Sequence, residues 1–276
     1  MGRFSLWLLV SVVMFSACGK RGGSLPESGG KPFEVLVVGD VDSVLTPILQ
    51  VDAEGLPQAE PSFDVSHVSP DKWEGALRRA RAIVIYDTLR KGISMNRHAS
   101  PQVIIRTDGS DASRLRDVLR EFELEVAITR LRENHNPKAE DSVSRLFGIQ
   151  VLIPSDMTAS KQGKDFLWLS NNTATGMRNV CVYGGMNRDS VMRVNIKGET
   201  DSMYVRTVPG TVRQRNVKTG MLTYGLWEMK GDAMGGPFAS VTHDSVTVEV
   251  FVYAPEMRKR NLMRQLEAVL YTLQTK

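Results

Sequence analysis

Between Gly225 and Ser240 the chain reads GLWEMKGDAMGGPFAS, which places Trp227, Glu228, Lys230 and Asp232 close to Gly231, Gly235, Gly236 and Pro237. Acidic groups beside an aromatic ring would suit a hydrolase acting on glycan or peptide, provided they face a polar partner across one cleft. Gly235-Gly236-Pro237 demands an unusual backbone, found either in a tight hairpin or where a ligand approaches the main chain closely. Trp227, Asp232, Gly235 and Gly236 are therefore the first candidates for a ligand site. The tripeptide Met-Asn-Arg occurs twice and adds Asn96 with Arg97 and Asn187 with Arg188. Arginine beside asparagine suits a carboxylate, a sugar or a phosphate.

Other chemistry finds less support. The sequence has no His-Glu-x-x-His, no Gly-x-Ser-x-Gly, no phosphate-binding loop and no dinucleotide fingerprint, so no catalytic residues are assigned. His67, His98, His135 and His243 are dispersed, and neither a metal nor a cofactor is expected. Asp40 and Asp156 end two strand-like runs and could form a carboxylate pair, although strand ends commonly carry aspartate as a turn residue. Cys181 lies in the apolar run RNVCVYGG and reads as a core thiol rather than a nucleophile.

The 276 residues are 42% hydrophobic and 24% charged with a net charge of +4, which is an ordinary globular composition with room for one or two cores. Basic clusters such as Arg78-Arg79-Ala80-Arg81 and Arg258-Lys259-Arg260 have no interleaved aromatics. They read as solvated faces, and no nucleic-acid partner is expected. The N-terminus is more specific. Arg3 precedes an apolar run from Phe4 to Phe15, then Ser16-Ala17-Cys18. The run is too short to span a bilayer and has the length of a signal-peptide core. Small residues before a cysteine resemble the bacterial lipoprotein box, although Phe15 stands where leucine is most common. That resemblance implies a signal peptide over residues 1–17 and lipid on Cys18; the alternative is an ordinary secretory peptide cut near Ala17. Two or more acyl chains hold a protein stably in a membrane, at about 0.8 kcal/mol per buried methylene. Gly19, rather than aspartate, follows the cysteine and favours the outer membrane. Residues 18–32, rich in Gly, Ser and Pro, read as a flexible tether.

The elements that must position the candidate residues follow from periodicity. FEVLVVGD, FDVSHVS, AIVIYD and PQVIIRTDG read as strands, with a short helix around Val44–Leu49. SPDKWEGALRRAR reads as a helix with Ser69 as cap and Pro70 in its first turn. A long helix starts at Ser110 or Asp111, carries Leu115, Val118, Leu119, Phe122 and Val126 on one face, and ends before Asn136-Pro137. GIQVLIPSD, FLWLSNN, NVCVYGG, VMRVNIKG, MYVRTV, LTYGLWEMKG and SVTVEVFVYAP read as further strands. A last helix would carry Met257, Leu262, Leu266, Val269, Leu270 and Leu273. The halves align loosely, Val35 with Val151, Phe63 with Phe166, Tyr86 with Tyr183, Met95 with Met186 and Val103 with Val194, as after a duplication. The expected architecture is α+β: two related lobes, residues 33–136 and 137–276, each a mixed or antiparallel sheet with a C-terminal helix packed on it.

A second pattern runs through the chain. Asp, then Ser or Thr, then an apolar residue or Thr occurs at Asp42, Asp87, Asp141, Asp189, Asp201 and Asp244, where random order would give about one copy. The pattern resembles the O-glycosylation motif of secreted Bacteroidota proteins, which implies Ser43, Thr88, Ser142, Ser190, Ser202 and Ser245 as acceptors. A turn leading into a strand also favours these residue types. Together with GKPFEVLVVGD, the Trp–Leu segment before AIVIYD, and GLWEMKGDAMGGPF, the lipoprotein box is similar to a Bacteroidota family of lipoproteins whose domain is of unknown function. The resemblance brings no catalytic residues.

The sequence thus predicts a lipid-anchored outer-membrane lipoprotein facing the periplasm or the cell surface. It would be a non-enzymatic binding or assembly module with an envelope protein or glycan as partner; the alternative is an envelope hydrolase. Mass spectrometry of the mature protein is expected to find an acylated Cys18 at the N-terminus. An unmodified Cys18 would remove the membrane anchor from the reading.

Overall fold

A computed structural model describes residues 24–185 and 187–275. Cys18 and the signal segment lie outside these residues, as does Met186. The fold is mixed α+β, with one mixed sheet and one antiparallel sheet.

The first sheet contains β1 (Glu34–Val38), β2 (Asp64–Val68), β3 (Ala82–Tyr86), β4 (Gly92–Met95) and β5 (Val103–Thr107), in the order β2-β1-β3-β5-β4. All neighbours are parallel except β4, which runs antiparallel along the β5 edge. The central strands are apolar throughout because both of their faces are covered. Val35, Val37, Val84 and Ile105 pack under α1 (Leu45–Leu49) and α2 (Ala112–Glu133). Leu36, Val38, Ile83 and Ile85 pack on the other face against Trp73 and Ala80. Asp111 caps α2 by accepting the Arg114 N–H at 3.0 Å.

The last turns of α2 cross to the second core, where Ile128 and Leu131 join Val143 of α3 (Pro137–Phe147). The antiparallel sheet follows after a two-residue strand, β6 (Ile149–Gln150). Its strands are β7 (Ala159–Gly163), β8 (Phe166–Ser170), β9 (Met177–Gly184), β10 (Val205–Thr207), β11 (Arg213–Val217), β12 (Gly220–Met229), β13 (Gly235–His243) and β14 (Val246–Tyr253). The order is β10-β12-β13-β14-β9-β8-β7, with β11 also pairing β12. Alternate residues serve two cores: Val180, Val182, Val248 and Val250 face α5 (Arg260–Leu266), while Cys181, Tyr183 and Phe251 face α4 (Arg188–Asn195). A 3-10 segment, Glu267–Thr272, leads to β15 (Gln274–Thr275), which pairs with β6.

Six expectations need correction. SPDKWEGALRRAR forms two short 3-10 turns, Pro70–Lys72 and Gly75–Arg79, instead of one helix; Gly75 at φ 55° interrupts it, and Ser69 makes no side-chain cap. GIQVLIPSD is not a full strand, because side chains take its main-chain donors: Leu152 N–H goes to Thr272 Oγ1 and Ile153 N–H to Glu140 Oε1, both at 3.0 Å. VMRVNIKG is helical over most of its length, since Asn187 caps α4 by accepting the Ser190 N–H at 2.9 Å. Met257 lies outside the last helix and is exposed. Finally, the two sheets differ in strand direction and order, and Val103 starts a strand while its supposed counterpart Val194 is in α4, so the relation expected between the lobes is not carried by the topology. The tether is also shorter than expected, because Gly29 bonds along Arg79 and Arg81 at 2.9 Å in both directions.

The lobes are joined through α5, which has no capping side chain of its own. Glu60, buried in the first lobe, accepts the N–H groups of Lys259 at 2.7 Å and Arg260 at 2.9 Å. Arg260 donates to Asp64 Oδ2 at 2.6 Å, and Asn261 Nδ2 to the Pro32 carbonyl at 3.2 Å. Removing a buried acceptor leaves two orphan donors, at about 1–3 kcal/mol. Glu60→Ala should therefore lower the unfolding free energy by about that amount, while Glu74→Ala, at an exposed glutamate with no side-chain cap, should be neutral; urea denaturation measures both.

Candidate functional site

The GLWEMKGDAMGGPFAS segment is a hairpin whose turn falls at Lys230–Met234, earlier than the Gly-Gly-Pro run. Gly231 takes φ 84° in that turn. Gly235 and Gly236 lie in β13 instead, paired opposite Glu228 and Trp227. Close approach is what requires glycine here, but the approaching groups belong to neighbouring strands. A Cβ on Gly235 would sit 2.8 Å from the Trp227 carbonyl oxygen, and one on Gly236 would overlap the Val252 carbonyl oxygen. The missing side chain at Gly236 lets the Trp227 indole lie across β13 and donate to the Val252 carbonyl at 3.2 Å.

Trp227 forms part of the wall of a cavity of about 450 Å³ on the α4 face of the antiparallel sheet. Its rings are Trp168, Trp227, Phe251 and Tyr253, and its thioethers are Met177, Met203, Met229 and Met234. The Trp227 and Phe251 rings meet edge to face, with centroids 5.3 Å apart. The indole nitrogens already have acceptors, Trp168 Nε1 donating to Asn179 Oδ1 at 2.9 Å, so the rings present apolar surface to the cavity. Charged groups line it only in the segment Lys197–Glu199 and at Asp232. Lys197 is paired with Asp201 at 2.7 Å.

Beside this cavity a charge is buried inside the sheet. Glu249 of β14 is wholly buried and takes two bonds from Arg188, Nε to Oε2 at 2.9 Å and Nη2 to Oε1 at 2.8 Å. Tyr183 donates its hydroxyl to the same carboxylate at 2.9 Å, and Arg188 Nη1 reaches Thr207 Oγ1 at 3.0 Å. The Arg188 guanidinium lies 4.1 Å from the centre of the Phe238 ring. Burial works against the Arg188 charge, but Glu249 outweighs it and the pKa is raised. The same burial, reinforced by Glu249, pushes the Cys181 thiol well above its ordinary range, so it is not a ready nucleophile. Arg188 is thus engaged in the interior by Glu249 and Thr207. Glu249 was legible only as an acidic residue in the middle of SVTVEVFVYAP, a sign of a buried partner elsewhere.

The other predicted residues are dispersed. Asn96 closes the β4–β5 connection by accepting the Gln102 N–H at 2.8 Å, and Arg97 is exposed beside it in the first lobe, away from Trp227. Asn187 is a helix cap. Glu228 faces away from the cavity and pairs with Arg206 at 2.7 Å, while Asp232 turns onto its own loop, accepting the Ala233 N–H at 2.6 Å. Asp156 pairs with Arg178. In an open parallel sheet, ligands favour the carboxyl ends of the strands where the order reverses, here between β1 and β3. Asp40 occupies that end itself, accepting the N–H groups of Val44 and Leu45 at 2.8 Å. Asp40, Asp156, Glu228 and Asp232 are therefore not brought together.

Of the six Asp-Ser/Thr hydroxyls, Ser43, Thr88, Ser202 and Ser245 lie in exposed loops or turns. Ser142 and Ser190 are instead in α3 and α4, where Ser142 Oγ bonds back to the Lys138 carbonyl at 3.0 Å.

Comparison with family models divides the chain in the same region where α2 gives way to α3. Residues 28–136 match a family model described as a domain of unknown function (DUF8532), and residues 136–272 match a second (DUF4837). The chain carries two domains of unknown function. No curated protein matches it. The aromatic and methionine cavity lies within the DUF4837 match, whereas Asn96 and Arg97 lie within DUF8532.

Gly236→Ala should destabilise the protein by about 1–3 kcal/mol, the usual range for overpacking a core. It should also displace the Trp227 indole and shift its fluorescence. Gly92→Ala, where an added Cβ meets nothing within 4 Å, is the control; equal stability of both variants would contradict the glycine assignment.

Proposed function

We propose that the protein is a lipid-anchored lipoprotein of the Bacteroidota outer membrane, held through Cys18, and that its DUF4837 domain is a non-enzymatic module binding an apolar ligand. In this reading the export signal supplies the location, and exposed Ser43, Thr88, Ser202 and Ser245 carry O-glycans. The cavity walled by Trp168, Trp227, Phe251 and Tyr253 is the observation that carries the binding function. Methionine side chains are unbranched and polarizable and adapt to flexible apolar groups. Four of them around four rings suit a fatty-acyl chain better than a glycan, whose hydroxyls would require more polar partners than Lys197, Glu199 and Asp232 supply. Against the hydrolase alternative stand the pairing of Glu228 with Arg206, outside the cavity, and the bond by which Asp232 accepts the Ala233 N–H in its own turn.

A brominated fatty acid placed in the cavity would quench Trp168 and Trp227. Titration of the full chain should give saturable quenching, weakened at least about tenfold by replacing Met203 and Met234 with Gln, since each apolar group removed costs roughly 1 kcal/mol or more. Quenching that never saturates, or that ignores both substitutions, would eliminate the acyl-binding assignment.

A further inference from the structure

A second cavity, of about 310 Å³, opens at the joint between the lobes. Arg120 of α2 enters it from the first lobe, and Arg215 of β11 and Arg264 of α5 enter it from the second. The only buried carboxylate among its lining residues is Glu267, which bonds Arg264 at 2.6 Å and lies 3.8 Å from Arg215. Asp117 and Glu121 line the cavity too, at its exposed edge, where neither makes an ion pair among the described residues.

The arginines are short of acceptors. Arg215 Nε is buried without a hydrogen-bond partner. Arg264 spends its second nitrogen on the Glu54 carbonyl at 2.7 Å. Arg120 makes no side-chain hydrogen bond or ion pair among the described residues. Burial, then Arg264 and Arg215, lower its pKa, although Glu54 and Asp117 lie near enough to oppose that. Arg215 and Arg264 share the buried Glu267 while Arg120 has no paired carboxylate; the three guanidinium groups repel one another, and an incoming oxyanion relieves that repulsion while accepting the unused N–H groups. Leu124 and Phe33 supply apolar walls, which strengthen charge-assisted bonds by excluding water.

We infer that the cavity between the lobes is a binding site for a phosphate-type oxyanion held by Arg120, Arg215 and Arg264. The site is separate from the aromatic and methionine cavity and does not depend on what that cavity binds. Because its ligands come from both lobes, the bound anion fastens the joint that Glu60 and Arg260 already make.

Thermal unfolding of the full chain in inorganic phosphate, against chloride at equal ionic strength, tests the site. A ligand that binds only the folded protein raises Tm with the logarithm of its concentration, roughly 3–5 °C per tenfold above Kd for a protein of this size. That rise is expected with phosphate and not with chloride, and Arg120→Gln should weaken the phosphate response at least tenfold while leaving the protein folded. Arg215→Gln should do the same, which separates a shared site from the loss of one charge. Mixed micelles of phosphatidylglycerol against phosphatidylcholine distinguish a lipid headgroup from a free phosphate as the source. A response to the anionic lipid alone would place the oxyanion in the membrane. Equal stabilisation by phosphate and chloride with no lipid response, or an undiminished response in Arg120→Gln, would overturn the inference.

Discussion

Helix α5 begins by offering the main-chain N–H groups of Lys259 and Arg260 to a carboxylate that belongs to the other lobe. Glu60 is almost wholly buried there, so neither donor could turn to water if the carboxylate were withdrawn. The contact reaches far because α5 also covers the antiparallel sheet through Met263 and Leu266, while Arg260 fastens Asp64 at the start of β2. Helix α2 makes the complementary crossing, with Leu119 and Phe122 in the first core and Ile128 and Leu131 in the second. Each lobe therefore completes an element of the other.

The second sheet solves a different problem. An antiparallel sheet commonly leaves one face to water, but here both faces are apolar and both are covered. The cover on the second face is thin: α4 has eight residues, and the chain beyond it returns through Lys197–Met203. Arg188, in the first turn of α4, locks that helix to the sheet through Glu249. Removing either partner of such a pair typically costs about 3–5 kcal/mol, because the other charge stays buried. Beyond the reach of α4 the rings and methionines are left lining a cavity, so the candidate site begins where the covering helix stops.

The charged residues divide by the work they do inside the molecule. Asp40 closes a helix, Glu228 and Asp156 pair with arginines, and Glu249 holds Arg188. These assignments account for carboxylates that would otherwise be candidates for acid–base chemistry. Apart from these, the molecule has an apolar cavity within the DUF4837 match and three arginines lining the cavity at the joint.

Much of the local structure was legible in the sequence because it depends on near neighbours. The runs FEVLVV, AIVIY and FLWLS form strands, and Asp111 begins the long helix by its own side chain. The segment VMRVNIKG reads as a strand because its β-branched residues outweigh in isolation the cap Asn187, four residues upstream, and the bond from Arg188 to Glu249, sixty-one residues further on. The glycine-rich neighbourhood points to Trp227, which lies in the cavity wall, and equally to Gly236, which makes room for a neighbouring strand; the Met-Asn-Arg repeat points to Arg188, which pairs with the buried Glu249. By itself the sequence determined most of the apolar strands, the long helix α2 with its Asp111 cap, and four of the six turn hydroxyls, since propensity and periodicity are local. Only the tertiary structure decided strand order, the pairing of Glu249 with Arg188, the convergence of three arginines and the gathering of four methionines, because each depends on residues far apart in the chain meeting where water is excluded.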